Sequence, residues 1–212
     1  MIFRGSASRS PSSSPILSDP LRWQKDWTRR NGRRLFPARI GDAIYRYEGT
    51  IAQLLGDGVL AFFGAPLTHE DDPVRAIHAA LAIQDAMREY ERELKGLVET
   101  FQMRIGVNTG TVVLGDIGSD MHLEYLAFGD AVNLAARLQS AARPGRILLS
   151  ETTARLAETE FELQDLGLIE VKGKSDPLPV FEVLRATPGR KARAFPRRLS
   201  AETMNCRYLK AP

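Results

Sequence analysis

Apolar residues recur through the middle of the chain with two different periods, and the changes of period outline the elements. Ile40, Ile44 and Tyr47 fall on one helical face and predict a helix over 37–48, with Gly49 as its stop. Two short apolar runs follow, Thr50–Leu55 and Val59–Phe63, separated by Gly-Asp-Gly. Asp-Gly between apolar runs predicts a β-hairpin. Val74, Ile77, Leu81, Met87, Tyr90 and Leu94 then return to helical spacing. Asp72 is placed to cap that helix, Pro73 suits its first turn and Gly96 ends it.

Phe101–Val107 and Thr111–Ile117 read as strands joined by Asn-Thr-Gly, a second hairpin, and 123–128 as a further strand. Ala131–Ala142 suits a helix capped by Asp130 and broken at Pro144-Gly145. Arg146–Leu149 reads as a short buried strand and Thr152–Ala157 as a short helix. Residues 161–171 and 178–184 pair around Lys-Gly-Lys-Ser-Asp-Pro. Hairpins mixed with helices predict an α+β fold with a mostly antiparallel sheet.

Charge divides the chain into three. Residues 1–35 hold eight Lys/Arg against two acids, and 185–212 hold eight against one. The body, 36–184, therefore holds 13 basic and 23 acidic residues. The pI of 9.2 belongs to the ends. Residues 1–35 are Ser/Pro- and Arg-rich without sustained periodicity, so a disordered basic head is expected; 185–212 is expected to be a flexible basic tail. Nucleic acid is not expected as a partner, because the body is acidic and the tails lack interleaved aromatics or a reading helix. No apolar run approaches the ~18 residues of a membrane span, and no secretory h-region follows the early arginine. A cytoplasmic location is expected. Cys206 is the single cysteine, which excludes an internal disulfide or a Cys-rich zinc site, and His69, His78 and His122 are spaced too widely for a metal cluster.

Three features could carry chemistry. Asp57, at a hairpin tip, is a rigidly mounted carboxylate able to bind a hard cation such as Mg²⁺, although Asp-Gly is also simply a favoured turn. Asn133 and Arg137 stand four apart on one helix, so their Cβ atoms are ~6 Å apart. A carboxamide beside a guanidinium suits a sugar oxygen and a transferring phosphoryl group; a solvated helix face would look the same. Lys172 and Lys174 flank Gly173, a plausible phosphate contact or an ordinary solvated loop.

The order and wording of these pieces narrow the choice. GTIAQLLGDGVLAFFGAP, RIGVNTGTVVLGDIGS, GDAVNLAARLQSAARPGRILLS and VKGKSDPLPVFEV follow one another between residues 36 and 184. Together they closely resemble the catalytic domain of class III nucleotide cyclases, the adenylate/guanylate cyclase family. The resemblance implies a ferredoxin-like, palm-type fold with helices on one face of the sheet, and a head-to-tail dimer, with itself or another cyclase domain, whose sites are shared. It implies cyclisation of a nucleoside triphosphate, ATP ahead of GTP: the ribose 3′-oxygen attacks the α-phosphorus and pyrophosphate leaves. Two Mg²⁺ or Mn²⁺ ions are implied as cofactors. By motif, Asp57 resembles the second metal aspartate, Asn133 the residue orienting the ribose, Arg137 the arginine on the α-phosphate, and Lys172 the lysine on the terminal phosphates.

The chain departs from that pattern in two places. The family opens with a strand carrying a Phe-x-Asp-Ile motif for the first metal aspartate; the family's spacing back from Asp57 lands in Ser12–Ser14, where no such motif stands. Both that ligand and its central strand are expected to be missing. At the two base-reading positions stand Gln53, whose amide can donate or accept, and Leu126, which offers no hydrogen bond. Two readings follow: a cyclase that needs a partner for activity, or a non-catalytic cyclase homology domain that dimerises or binds nucleotide.

Overall fold

The computed structural model describes residues 2–10, 35–55, 58–65, 67–93, 100–117, 124–128, 130–170 and 177–187. Among them the chain runs β1 (Ile2–Ser10), α1 (Leu35–Arg46), β2 (Thr50–Leu55), β3 (Gly58–Phe62), α2 (Asp72–Glu93), β4 (Thr100–Asn108), β5 (Val113–Ile117) and β6 (Glu124–Phe128). It continues through α3 (Asp130–Ala141), β7 (Ile147–Ser150), α4 (Glu151–Ala157), β8 (Phe161–Ile169) and β9 (Leu178–Ala186). Seven strands form one sheet in the order β2-β3-β1-β4-β7-β9-β8, and β5 pairs with β6 in a separate ribbon. Every pairing is antiparallel except that of β4 with β7. This is the α+β, mostly antiparallel fold that the periodicity predicts.

Alternation along the strands assigns the two faces. Val59 and Ala61 of β3, Met103, Ile105 and Val107 of β4, and Ile147 and Leu149 of β7 share one core with Ile40 and Ile44 of α1, Ile77, Ile83 and Met87 of α2, and Ala154 and Ala157 of α4. Leu60 and Phe62 turn the other way and meet Ala131 and Ala135 of α3, while Leu148 and Val180 meet Leu138. The expectation of helices on one face is thus corrected: α1, α2 and α4 cover one side, and α3 lies alone on the other.

Three further expectations change. The head was expected to lack regular structure and the central strand to be missing. Instead Ile2–Ser10 forms β1, paired with β3 from Ile2↔Phe62 to Ser6↔Gly58 and with β4 from Ile2↔Asn108 to Ser10↔Thr100. A gap there would leave the facing backbone donors and acceptors of β3 and β4 unpaired, so backbone pairing on both edges, rather than an apolar pattern, explains the strand. The remainder of the head, 11–34, and 188–212 lie outside the described residues. The second hairpin does not form: β4 is already paired on both edges by β1 and β7, so β5 leaves the sheet and pairs with β6.

The helix stop also moves by one residue. Glu48, not Gly49, takes the left-handed conformation, with φ 60°. Gly49 N donates to Ile44 O and Glu48 N to Tyr45 O, the pair of bonds that closes a Schellman end. Gly49 is needed for space, since a Cβ there would lie 2.6 Å from the Phe63 ring.

Candidate active site

Helix α3 is the element that positions the most chemistry. Its buried residues are Ala131, Ala135, Leu138 and Gln139, and the two alanines let it lie close to the sheet. Gly106 of β4 sets that closeness: a Cβ there would come within 2.2 Å of Ala135 O and 2.4 Å of Gln139 N. Asn133 is exposed and Arg137 half-buried, while Val132 and Leu134 pack at the edges of the core. Four residues apart, Asn133 and Arg137 share a face as their spacing requires. No carboxylate among the described residues ion-pairs with Arg137.

At the other side of the sheet β2 and β3 form the expected hairpin, with Leu55↔Gly58 as the last pair before the tip. Asp57, at that tip, lies outside the described residues. A register shift between Ile51 and Gln53 makes Ala52 a bulge and leaves Gln53 exposed. Strand β6, which carries Leu126 opposite Gly115, lies against β2, so the two positions expected to read the base sit on neighbouring strands. Lys172 falls in sequence between the paired ends Ile169↔Leu178 of β8 and β9, and it lies outside the described residues.

Strand β1 runs beside the hairpin, and Gly5 and Ser6 pair with Val59 and Gly58, next along the chain from Asp57. Its sequence, IFRGSASRS, has no acidic residue. The strand of the expected metal motif is therefore present without its aspartate. No group of three or more His, Cys, Asp or Glu among the described residues could hold a metal ion. The described donor set does not fit a two-ion centre.

Periodicity alone passed over one more feature. A cavity of about 350 Å³ opens at the carboxyl ends of β4 and β7, between the first turns of α3 and α4. Its wall includes Asn108, Thr109, Asp130, Ser150 and Leu178. Thr109 Oγ1 lies 3.0 Å from Thr153 Oγ1, which lies 3.0 Å from Ser150 Oγ, and Ser150 caps α4 by accepting from Thr153 N. The Asn-Thr-Gly read as a turn thus supplies a buried asparagine and a hydroxyl to this cavity; the signal was an Asn after an apolar strand, which a turn explains equally well.

The family model described as the adenylate and guanylate cyclase catalytic domain matches residues 40–183. Adenylate cyclase 1 of Rhizobium meliloti is 31% identical over 149 residues, covering 68% of this chain and 22% of that protein. The guanylate cyclase soluble subunit beta-2 of Rattus norvegicus is 35% identical over 132 residues, 62% of this chain and 18% of its own length. Among solved structures, the guanylyl cyclase Cya2 superposes with a TM-score of 0.72 at 28% identity, covering 90% of this chain and 94% of that one. The adenylyl cyclase CyaB of P. aeruginosa gives 0.70 at 27%, covering 88% and 94%. The chain belongs to the class III adenylate/guanylate cyclase catalytic domain family. It spans about a fifth of the length of these two curated relatives.

Proposed function

We propose that this chain is a nucleotide cyclase domain that contributes the ribose- and phosphate-handling half of a site shared with a partner domain. The observation that supports this most is the outward face of α3, where Asn133 and Arg137 stand on a helix seated against the glycine of β4. In the reaction proposed, the ribose 3′-hydroxyl loses its proton to solvent and its oxygen bonds to the α-phosphorus. The bond from that phosphorus to its bridging oxygen breaks, and pyrophosphate leaves with the electron pair. Asn133 orients the ribose, Arg137 donates to the α-phosphate oxygens as charge builds there, and Lys172 holds the terminal phosphates.

Asp57 is the one carboxylate this chain offers its own metal position, since β1 carries none, so the carboxylates of a working site are supplied by another chain. We therefore place a complete cyclase domain, rather than a second copy, opposite α3 for the active pair. ATP is the proposed substrate ahead of GTP, drawn from the cytoplasm. A glutamine amide offers one donor and one acceptor, which match the acceptor and donor of an adenine edge, whereas the guanine N1–H and N2–H₂ edge calls for two acceptors.

The test is a cyclase assay with ATP and GTP, in Mg²⁺ and in Mn²⁺, on the chain alone and mixed with an intact homologous domain. Cyclic nucleotide from the mixture beyond that of the partner alone supports the reading. Equal yields with and without this chain, despite measured association, would favour the non-catalytic reading, for which the acid-free β1 is the specific observation.

A further inference from the structure

Gly106 and Asn108 of β4, with Gly110 just past the end of the strand, form the floor on which α3 rests. Gly106 lies under Ala135 and Gln139, and a Cβ on Gly110 would come within 2.8 Å of the Ala131 Cβ. Between them Asn108, 3% exposed, donates from Nδ2 to Ala131 O at 3.0 Å. Two strand residues advance about 6.6 Å and four helix residues about 6 Å. Gly106 therefore lies under 135–139, and Asn108 and Gly110 under 131, as the helix runs antiparallel above the strand.

Glycine and alanine make close contact but little interlock. The cavity that Asn108 helps to line lies beside the first turn, whereas Leu138, two turns on, is fully buried against Leu148 and Val180. A directional bond at the first turn supplies the axial register that such a smooth contact lacks. Resting on the roles given above to Asn133 and Arg137, we propose that Asn108 is a positioning residue for the reaction. Its amide fixes where α3 sits along β4, and hence where the two side chains, two and six residues beyond Ala131, meet the nucleotide. Ala131 O can keep a helical partner when the amide is lost, so the bond is a locator more than a structural tie.

The test uses the full chain mixed with an intact homologous domain whose own arginine counterpart is disabled, so that only the shared site can turn over. Asn108→Leu keeps the number and branching of the heavy atoms and removes the donor; Asn108→His returns a ring N–H at comparable reach. The expectation is a kcat lower by roughly 10- to 100-fold in Asn108→Leu, with KM changed far less, and recovery of most of it in Asn108→His. A KM rise with kcat intact, or no difference between Leu and His, would overturn the proposal. Amide hydrogen exchange on the full chain gives an independent readout. Faster exchange confined to α3, with β4 and α2 unchanged, supports the assignment; unchanged exchange in α3 counts against it. If Asn108→Leu loses its fold altogether, Asn108→Asp, which retains size and removes the donor, is measured against Asn108→His by the same two readouts. A native mixture with no activity would sink the functional reading alone, while the exchange data would still decide the role of Asn108.

Discussion

Arg75 donates to Glu48 at 2.5 Å, and Glu48 is the residue held in the left-handed conformation at the end of α1. The same guanidinium reaches Asp71 at 2.7 Å, and His69 stands 3.3 Å from the Glu48 carboxylate. One arginine, 12% exposed, therefore ties the turn leading into β2 to the first turn of α2. Arg75→Ala leaves two shielded carboxylates without their cation and is expected to cost about 2–3 kcal/mol. Glu48→Gly removes one ion pair but relieves the positive φ, worth ~1 kcal/mol, and leaves Arg75 its bond to Asp71. Denaturant midpoints should thus fall much further for Arg75→Ala than for Glu48→Gly; the reverse order would show that the backbone, not the ion pair, sets the turn.

His78 stacks on Tyr47 at 5.6 Å between centroids and meets the edge of Phe161 at 4.8 Å, joining α2 to the end of α1 and the start of β8. Burial lowers its pKa below the ordinary 6.5, and Glu160 offsets this only in part. The unfolded chain then binds more protons than the folded one between the two pKa values. Stability from this group is present above about 6.5 and declines as pH falls through the depressed value. Unfolding curves at descending pH should show a smaller loss in His78→Phe than in the parent chain. Parallel losses in the two proteins would assign the acid sensitivity to other groups.

What the sequence conveyed depended on how each element is held. Helices α2 and α3 and strands β3 and β7 bury their own apolar side chains, and their apolar pattern is legible. Strand β1 is placed by backbone pairing with its neighbours, and nothing in IFRGSASRS alternates strongly enough to announce it. The same is true of β5: Thr111–Ile117 reads as a strand, yet its partner is decided by the two edges of β4 being already filled. Asn133 and Arg137 could be paired from spacing alone. Asn108 could not, because its significance lies in a helix 23 residues further on.

Base selection should respond to Gln53, which is exposed on β2 beside the strand of Leu126. Gln53→Glu presents two acceptors and should move the ATP-to-GTP ratio of kcat/KM toward GTP by roughly 10-fold. The measurement is paired initial rates with the two nucleotides in the shared-site assay. A ratio unchanged by Gln53→Glu would remove Gln53 from the base-reading role.

The sharpest expectation concerns which half of the site this chain supplies. In a mixed pair, one site would combine the partner's carboxylates with this chain's Asn133, Arg137 and Lys172. The other would combine the partner's phosphate-handling residues with Asp57 and the acid-free β1. Only the first has a full set of groups. Arg137→Ala removes a charge-assisted donor from that site and should lower the mixed activity by about 100-fold or more, whereas Asp57→Ala should leave it nearly unchanged. The decisive assay pairs the chain with an intact domain whose own arginine counterpart is disabled, so that partner homodimers stay silent. Both variants must first be shown to associate with the partner by sedimentation, so that lost activity is not lost assembly. Activity that survives Arg137→Ala and disappears with Asp57→Ala would reverse the roles and place the working site around the hairpin of this chain.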